Sequence, residues 1–513
     1  MRIKNLSYKV LFIIIITIQL ALLLFYMNNK TAFSVDEIYT FSLSNSSNGM
    51  FFSPKIFNKQ NLDIQNKWLD GQIFKDYICV NQDNVFNYPT VYDNQLEDTH
   101  PPLYYYLIHT ICSFFPNSFS KWYGFCLNLL LFLITQILLF IISKRILKSE
   151  KYSLLASIFY GFSLACINNF SYISTNTLIT VFYLLMLNAV IKCLDNKFSF
   201  VRFVELFFII LLGGLTHYIF LLYSTFLIVS FVIFTFKISR KQSLWVLSTV
   251  MFGYLWIYLV FPDIINQILF SVYIQETIIG IDNIIPNIGC ISYFIRKFLG
   301  IPFPYYFYSG ALLFICIFIY TLYYFIKKLF NNEVNVLLTI IPIFSVIILI
   351  SLGINYKITE IEPLKYFIGF FPIVAISFIA ILKKVNKHYL LLSIVLLSFL
   401  SCLYKTNTVL FSFEKEKLSI GEIVSGKNVV LLINENENIQ NYVLLLSQCK
   451  NVFITFYDEQ NQYSCNTNNL PSDRNYFLLT NKNIPLNKLS YNKIISGVIS
   501  SYWIDVYETT TNK

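Results

Sequence analysis

The chain has 513 residues, of which 56% are hydrophobic and 18% aromatic, whereas 13% are charged. Soluble domains have about a quarter charged residues, so this composition excludes a chain that lies mostly in water. The formal net charge of +10 does not indicate a nucleic-acid partner, because the basic residues are spread over many short loops and form no single footprint.

The first predicted element is an apolar segment from Lys9 to Met27, which follows Arg2 and Lys4. It is long enough to span a bilayer, and it lacks the short apolar region and the small-residue cleavage site of a signal peptide. The segment therefore predicts an uncleaved anchor with its N-terminus in the cytoplasm.

Further apolar runs predict more spans, and together with the first helix they give about eleven. These runs are centred near residues 131, 161, 184, 209, 227, 253, 315, 344, 374 and 396.

The loops between the runs alternate in basic content. Loops such as 143–151 and 237–241 are rich in Lys and Arg, whereas 171–176 and 353–365 are poor in them. The positive-inside rule places the first group in the cytoplasm and the second outside. Counting the apolar segment 101–115 as a span would invert every later loop, so we expect a juxtamembrane or re-entrant helix there.

The predicted fold is an α-helical polytopic membrane protein, located in the cell membrane, with a transmembrane domain over 1–404. Residues 28–115 form a first outer loop with juxtamembrane helices, and residues 262–303 form a second outer loop. In the first loop the apolar residues of 61–78 favour an interfacial helix. These residues are Leu62, Trp68, Leu69, Ile73 and Tyr77.

The last predicted region is a small extracytoplasmic α/β domain over residues 405–513. Two β-branched, apolar runs at 428–433 and 451–457 have the composition of strands, and they flank a helical pattern at 438–449.

Candidate chemistry begins with Asp36 and Glu37, which follow the first span directly. Adjacent acids on a surface are usually just solvated. Here the flanking residues are apolar, and desolvation raises the pKa of a carboxylate and suits it to proton abstraction.

The second place is Asp98 and His100 before Pro101, with Tyr104 shortly after. The same residues also fit an ordinary helix start with proline in its first turn.

Two more places lie at predicted outer ends of spans. His217 and Tyr218 follow two glycines, and Lys365 and Tyr366 precede a late helix that contains Pro372. A histidine at such a place is commonly a hydrogen-bonded interfacial residue, and a Lys-Tyr pair is commonly an anchor. An ionisable group at the membrane edge is nevertheless a functional candidate.

Taken in order, these motifs resemble those of the GT-C membrane glycosyltransferases, specifically the bacterial relatives of the dolichyl-phosphate-mannose protein mannosyltransferases and of the aminoarabinose transferases. The Asp36-Glu37 pair, the stretch His-Pro-Pro-Leu-Tyr-Tyr at 100–105, and the His217-Tyr218 pair match the family's pattern. The resemblance covers roughly residues 9–404, and the stretch at 100–105 is its most specific part.

Two positions depart from that pattern. The family commonly has Arg-x-Tyr after the fourth span, where this chain has Thr175 and Thr177. The late basic residue is usually Arg, whereas here it is Lys365. The lysine ammonium is a point charge and cannot form the paired hydrogen bonds of a guanidinium group.

The resemblance implies transfer of a sugar from a polyprenyl-phosphate donor to a glycan, lipid or protein acceptor of the cell envelope, with inversion, on the outer face of the membrane. It implies Asp36 as the base with Glu37 in support, and Lys365 with Tyr366 at the donor phosphate. The expected substrate-positioning residues are Asp98, His100, Tyr104, His217 and Tyr218.

The resemblance makes no cofactor certain. It is compatible with a divalent metal, because aminoarabinose transferases have one near this region. The ligands here would be His217, His100 or Asp98.

Three other functions remain open. A transporter or lipid flippase would favour charges near the bilayer midplane and internal repeats, whereas the candidate charges here lie at predicted span ends. A polyprenyl-linked polysaccharide polymerase or ligase also uses such carriers, but its long outer loop comes late in the chain. A non-catalytic membrane sensor would leave the stretch at 100–105 unexplained.

Overall fold

The computed structural model describes a defined part of the chain, in two compact units. The residues described are 7–30, 33–47, 66–96, 98, 100–195, 198–267, 295–300, 312, 315, 319, 334–353, 367–385, 419–434, 438–457, 471, 475–480, 491–499 and 502–509. The membrane unit comprises Met1–Met27, Thr99–Tyr104 and Gly124–Leu410. The sheet unit comprises Asn28–Asp98, Tyr105–Tyr123 and Phe411–Lys513.

The helices are, in chain order, α1 (Tyr8–Asn29), α2 (Val35–Asn45), α3 (Gln72–Ile78), α4 (Tyr88–Leu96), α5 (Leu103–Ser113), α6 (Lys121–Leu147), α7 (Glu150–Gly161), α8 (Leu164–Phe170), α9 (Thr175–Asp195), α10 (Phe200–Gly214), α11 (Ile219–Thr235), α12 (Arg240–Val260), α13 (Val334–Gly353), α14 (Phe371–Val385), α15 (Ser419–Val424) and α16 (Val443–Leu446). The strands are β1 (Trp68–Asp70), β2 (Asn428–Asn434), β3 (Asn451–Tyr457), β4 (Phe477–Thr480), β5 (Tyr491–Ile499) and β6 (Tyr502–Thr509).

Within the described residues, four helices are long and apolar enough to cross a membrane, namely α1, α6, α9 and α12. Helices α7 and α8 meet at an angle of 62°, and as one bent span they would make a fifth. Shorter apolar helices occupy 219–235, 336–348 and 367–383. The prediction of a helical membrane protein is therefore confirmed. The count of about eleven spans stays a prediction, because the run near 396 lies outside the described residues.

Helix α5 is too short to cross a bilayer. Its 11 residues rise about 16 Å, whereas the hydrocarbon core is about 30 Å thick. This length agrees with the prediction that residues 101–115 do not form a span.

Neutral polar groups join several helices of the membrane unit. Nε2 of Gln19 on α1 donates to the carbonyl oxygen of Ser157 on α7, at 3.1 Å, and the Ser157 hydroxyl donates to Gln136 on α6. Hydrogen bonds of this kind hold helices together where apolar packing gives no preference over lipid. Apolar side chains fill the rest, with α10 packed on α9 and α12, and α14 on α7.

The sheet unit contains a six-stranded sheet in the order β1-β3-β2-β4-β6-β5. Strand β2 is parallel to β3 and β4, and the other pairs are antiparallel. The two predicted strands are present as β2 and β3, in a register that pairs Val430 with Phe453. The predicted helix between them is a 3-10 turn at Ile439–Asn441 followed by the single turn of α16.

The predicted interfacial helix over 61–78 is wrong at Trp68–Asp70, and the chain is helical from Gln72 to Ile78. Residues Trp68–Asp70 form β1, which pairs antiparallel with β3, and α3 begins at Gln72. Trp68 packs on the sheet core, with its ring 5.5 Å from that of Phe453 and 6.3 Å from that of Tyr476. Trp68, one of the apolar residues that suggested contact with lipid, therefore packs against a sheet. Leu62 lies outside the described residues.

A close approach at Gly71 holds this arrangement. The Gly71 N–H donates to the carbonyl oxygen of Lys450 at 3.0 Å, and a side chain at position 71 would overlap the carbonyl oxygen of Cys449. Residues of the first outer loop and of the C-terminal region thus belong to one unit. The sequence had predicted two separate regions, 28–115 and 405–513. The predicted boundary at 404 and 405 lies outside the described residues.

Candidate functional site

Asp36 and Glu37 occupy the first turn of α2. The Oγ of Ser34 accepts from the Glu37 N–H at 3.4 Å, and Oε2 of Glu37 accepts from the Ser34 N–H at 3.0 Å. This reciprocal capping box satisfies N–H groups that the helix start leaves without partners. Asp36 therefore lies half-buried at a positive helix end, which favours a negative side chain.

Glu37 is also half of a buried ion pair. Its Oε1 lies 2.6 Å from Nζ of Lys30, and the two side chains are 1% and 3% exposed. Burial lowers the pKa of Lys30, and the Glu37 carboxylate opposes that shift. The ammonium also lies 5.6 Å from the ring centre of Phe33. These contacts occupy the Glu37 carboxylate and leave Asp36 as the more accessible carboxylate.

Sequence reasoning missed Lys30. The signal was a lysine seven residues before the acid, directly after an apolar span, where a basic residue is ordinarily interpreted as an interfacial anchor. Nζ of Lys121 adds a second cation nearby, and it donates to the carbonyl oxygens of Asn28 and Lys30 at 2.8 and 2.7 Å.

The other end of α2 is held by side chains that donate to its last carbonyls. Nδ2 of Asn94 donates to the oxygens of Leu43 and Ser46, at 3.1 and 2.8 Å. Nδ1 of His109 lies 2.7 Å from the oxygen of Ser44, so this nitrogen has the proton, since a carbonyl only accepts. Burial lowers the pKa of His109. Because α2 is fixed at both ends, the position of Asp36 is determined by the sheet unit.

Asp98 lies just beyond the C-terminal end of α4, half-buried, with its N–H donating to the carbonyl oxygen of Gln95 at 3.3 Å. Burial is the largest cause of the raised pKa of the Tyr77 phenol, and the charge of Asp98 adds to it. Asp98 therefore belongs to the buried polar region of the sheet unit that also contains α2.

His100, His217 and Tyr218 come together in the membrane unit. The ring centres of His100 and His217 are 5.4 Å apart, and those of His217 and Tyr218 are 4.5 Å apart. The Leu103 N–H donates to the carbonyl oxygen of Leu215 at 3.0 Å, which joins the start of α5 to the turn before α11. Residues that are more than 100 positions apart in the chain thus form one cluster.

The protonation state of His217 follows from its contacts. The Ile219 N–H donates to Nδ1 of His217 at 3.2 Å, so this nitrogen has a lone pair and the neutral ring has its proton on Nε2. Burial, and then the neighbouring His100, lower the pKa of His217 well below its usual value. His217 is a neutral hydrogen-bond donor at Nε2.

Tyr104 has a packing role in the membrane unit. Its hydroxyl donates to Oδ1 of Asn128 at 3.2 Å, and the Thr177 hydroxyl donates to the same oxygen at 3.0 Å. Nδ2 of Asn128 donates to the carbonyl oxygens of Phe170 and Tyr172, both at 2.9 Å. Thr177, at the place where the resembled family has Arg-x-Tyr, is thus part of an internal network.

Lys365 and Tyr366 lie outside the described residues, so their predicted contact with a donor phosphate stays a prediction. Among the residues that the structure describes, no group of three or more His, Cys, Asp or Glu side chains is arranged to hold a metal ion. His100 and His217 by themselves supply two ligands of the three or four that a protein site for a divalent transition metal has.

No protein-family model and no curated protein sequence matches this chain. Among solved structures it is similar to ArnT from Cupriavidus metallidurans, a GT-C glycosyltransferase. The crystal structure of ArnT bound to undecaprenyl phosphate has a TM-score of 0.55 and 10% identity, over 99% of each chain. The apo crystal structure has a TM-score of 0.55 and 10% identity, over 96% of this chain and 97% of that one. At this identity the likeness establishes the fold and not the narrower family, and the chain has the GT-C fold.

Proposed function

We propose that this protein transfers a sugar from a polyprenyl-phosphate donor to an acceptor of the cell envelope. The observation that supports the proposal best is α2, which is fixed at both ends and presents a half-buried carboxylate, Asp36, next to a neutralised one, Glu37. The GT-C fold, shared with an ArnT structure that contains undecaprenyl phosphate, supports the donor class.

In the proposed reaction Asp36 removes the proton from an acceptor hydroxyl. The hydroxyl oxygen attacks the anomeric carbon of the donor, the bond from that carbon to the phosphate oxygen breaks, and polyprenyl phosphate leaves with inversion at the carbon. Lys365, with Tyr366 positioning it, stabilises the charge that develops on the leaving phosphate. His100 and His217 orient substrate by hydrogen bonds, which the neutral Nε2–H of His217 suits.

The test is an assay on the purified protein in lipid nanodiscs with radiolabelled polyprenyl-phosphate hexoses as donors. Transfer should release polyprenyl monophosphate and should be at least about a hundredfold slower in Asp36→Asn. Release of polyprenyl diphosphate from a diphosphate-linked donor would indicate a polymerase or ligase. Movement of donor between leaflets without release would indicate a flippase. Either result would overturn the proposal.

The proposal places the reaction and the sheet unit outside the cytoplasm. Cysteines introduced at exposed Lys148 and Lys237 should react with membrane-permeant maleimide and not with impermeant maleimide on whole cells. Reaction of either with the impermeant reagent would invert the orientation.

A further inference from the structure

Three phenylalanines of the sheet unit are exposed although this unit has an apolar core of its own. Phe86, Phe114 and Phe115 are 42%, 67% and 52% exposed. The rings of Phe86 and Phe114 meet edge to face with their centres 5.3 Å apart, so two of the three form one surface. We name these three residues the aromatic patch. They lie outside the helices that are long and apolar enough to cross a membrane.

The backbone holds Phe86 outward. Its φ of 55° lies in the left-handed region, which a bulky residue rarely adopts and which persists only where the surroundings impose it. The Phe86 N–H donates to the Ser113 hydroxyl oxygen at 3.0 Å, and this bond joins the loop before α4 to the last residue of α5. The exposure of Phe86 is therefore a built feature of the fold.

Phe115 joins the patch to the first turn of α6. Its ring stacks on that of Tyr123 with centres 5.1 Å apart and planes 5° from parallel. The Ser118 hydroxyl donates to the Phe115 carbonyl oxygen at 2.7 Å and, 2.8 Å away, accepts from the Tyr123 hydroxyl. These contacts hold the turn between α5 and α6 and place Phe115 against Tyr123 in the first turn of α6.

The first turn of α6 has the residues of a membrane–water interface, Lys121, Trp122 and Tyr123. Nζ of Lys121 donates to the carbonyl oxygens of Asn28 and Lys30, at the end of the apolar helix α1. Residues of these types at the start of an apolar helix of spanning length favour a place at the membrane–water interface. The aromatic patch is continuous with it through Tyr123.

We propose that the aromatic patch inserts into the interfacial layer of the phospholipid bilayer beside the start of α6. The phenyl rings of Phe86, Phe114 and Phe115 gain by leaving water, and they carry no polar group that lipid would leave without a partner. The patch would then fix the sheet unit to the membrane at a point outside the spans. This contact goes beyond the proposed function and does not depend on it.

The test is photocrosslinking of the full-length protein in nanodiscs of phosphatidylcholine and phosphatidylglycerol. In separate samples p-benzoylphenylalanine replaces Phe114, Phe115, Met251 or Lys67. Met251 is 61% exposed on the spanning helix α12 and serves as the positive control. Lys67 is exposed just before β1 and serves as the negative control. Adducts are identified by mass spectrometry on monodisperse protein.

We expect lipid adducts at Phe114 and Phe115 to exceed those at Lys67 several-fold and to approach those at Met251. Lipid yields at both positions equal to the yield at Lys67 would overturn the proposal. Adducts to a second protein chain in place of lipid would also overturn it, and would make the patch a protein interface. Two positions are used so that a folding defect at one leaves the other informative.

Discussion

Buried polar side chains are compensated differently in the region around α2 and in the region around His100 and His217. In the sheet unit a full charge is buried, and Lys30 and the capping box compensate it at Glu37. In the membrane unit His217 is kept neutral, and its Nδ1 accepts from a backbone N–H. A buried charge needs a fixed counter-charge, whereas a neutral ring needs a single hydrogen bond. The first region therefore holds a carboxylate in place, and the second contains a neutral imidazole with its proton on Nε2.

The largest expected effect tests which carboxylate of the α2 region is the base. Asp36→Asn keeps the size of the side chain and removes the proton acceptor, so the rate of sugar transfer should fall by about a hundredfold to ten-thousandfold. Glu37→Gln should reduce transfer less, because Glu37 supports the helix. Transfer from a polyprenyl-phosphate donor is measured per folded protein. A larger loss for Glu37→Gln would exchange the two roles.

The next effect tests whether the α2 region depends on its buried charge pair. Lys30→Met leaves the Glu37 carboxylate buried without the ammonium, which should lower the free energy of unfolding by about 3–5 kcal/mol. The double change Lys30→Met with Glu37→Gln should recover much of this loss. Thermal unfolding in detergent measures both variants.

Lys144→Met is the matched control, because it breaks a pair with Glu150 whose side chains are 51% and 33% exposed. It should change the free energy of unfolding far less than Lys30→Met does, because solvent screens an exposed pair. An equal effect for Lys30→Met and Lys144→Met would show that burial of the Lys30 pair contributes little.

A third change extends the comparison to the predicted phosphate contact. Lys365→Met keeps an apolar stem and deletes the cation, and loss of a charge-assisted contact of about 1.5–3 kcal/mol should reduce transfer about ten- to a hundredfold. Lys365→Arg is the control and should retain much of the activity. If Lys365 is only an interfacial anchor, the Met variant will keep the wild-type rate and donor affinity.

The smallest effect tests the neutral state of His217. Burial and His100 lower its pKa in the fold, so below its usual value of about 6.5 the unfolded chain binds a proton that the folded chain does not. The free energy of unfolding should fall by about 1.4 kcal/mol per pH unit from this residue as the pH drops below about 6.5.

His217→Gln removes that titration and should flatten the slope between about pH 6.5 and about pH 5, measured by thermal unfolding. His109, whose pKa burial also lowers, keeps its own contribution in the variant and in the wild type. An unchanged slope would mean that His217 is protonated within the fold.

Much of the membrane unit was predictable, because the signal is local. An apolar run of spanning length requires a helix wherever it lies in a bilayer, and α6, α9 and α12 begin and end around the predicted runs. Strands β2 and β3 were predictable for the same reason, since a run such as NVVLLI contains β-branched and apolar residues throughout. The Asp36, His100 and His217 motifs were visible as ionisable residues beside apolar runs.

The contacts that the sequence did not predict join residues whose partners became known only from the tertiary structure. Trp68 is an apolar residue in a polar loop, and its sequence does not say whether lipid or Phe453 covers it. Lys30 and Glu37 look like two independent surface charges until folding brings them to 2.6 Å, and His109 looks like a helix residue until its ring meets the Ser44 carbonyl. The sequence by itself determined which segments leave water, because transfer to an apolar phase depends on each side chain's own composition. Which polar groups pair was decided by the fold, because a buried charge or carbonyl is stabilised by the specific atoms that folding places beside it.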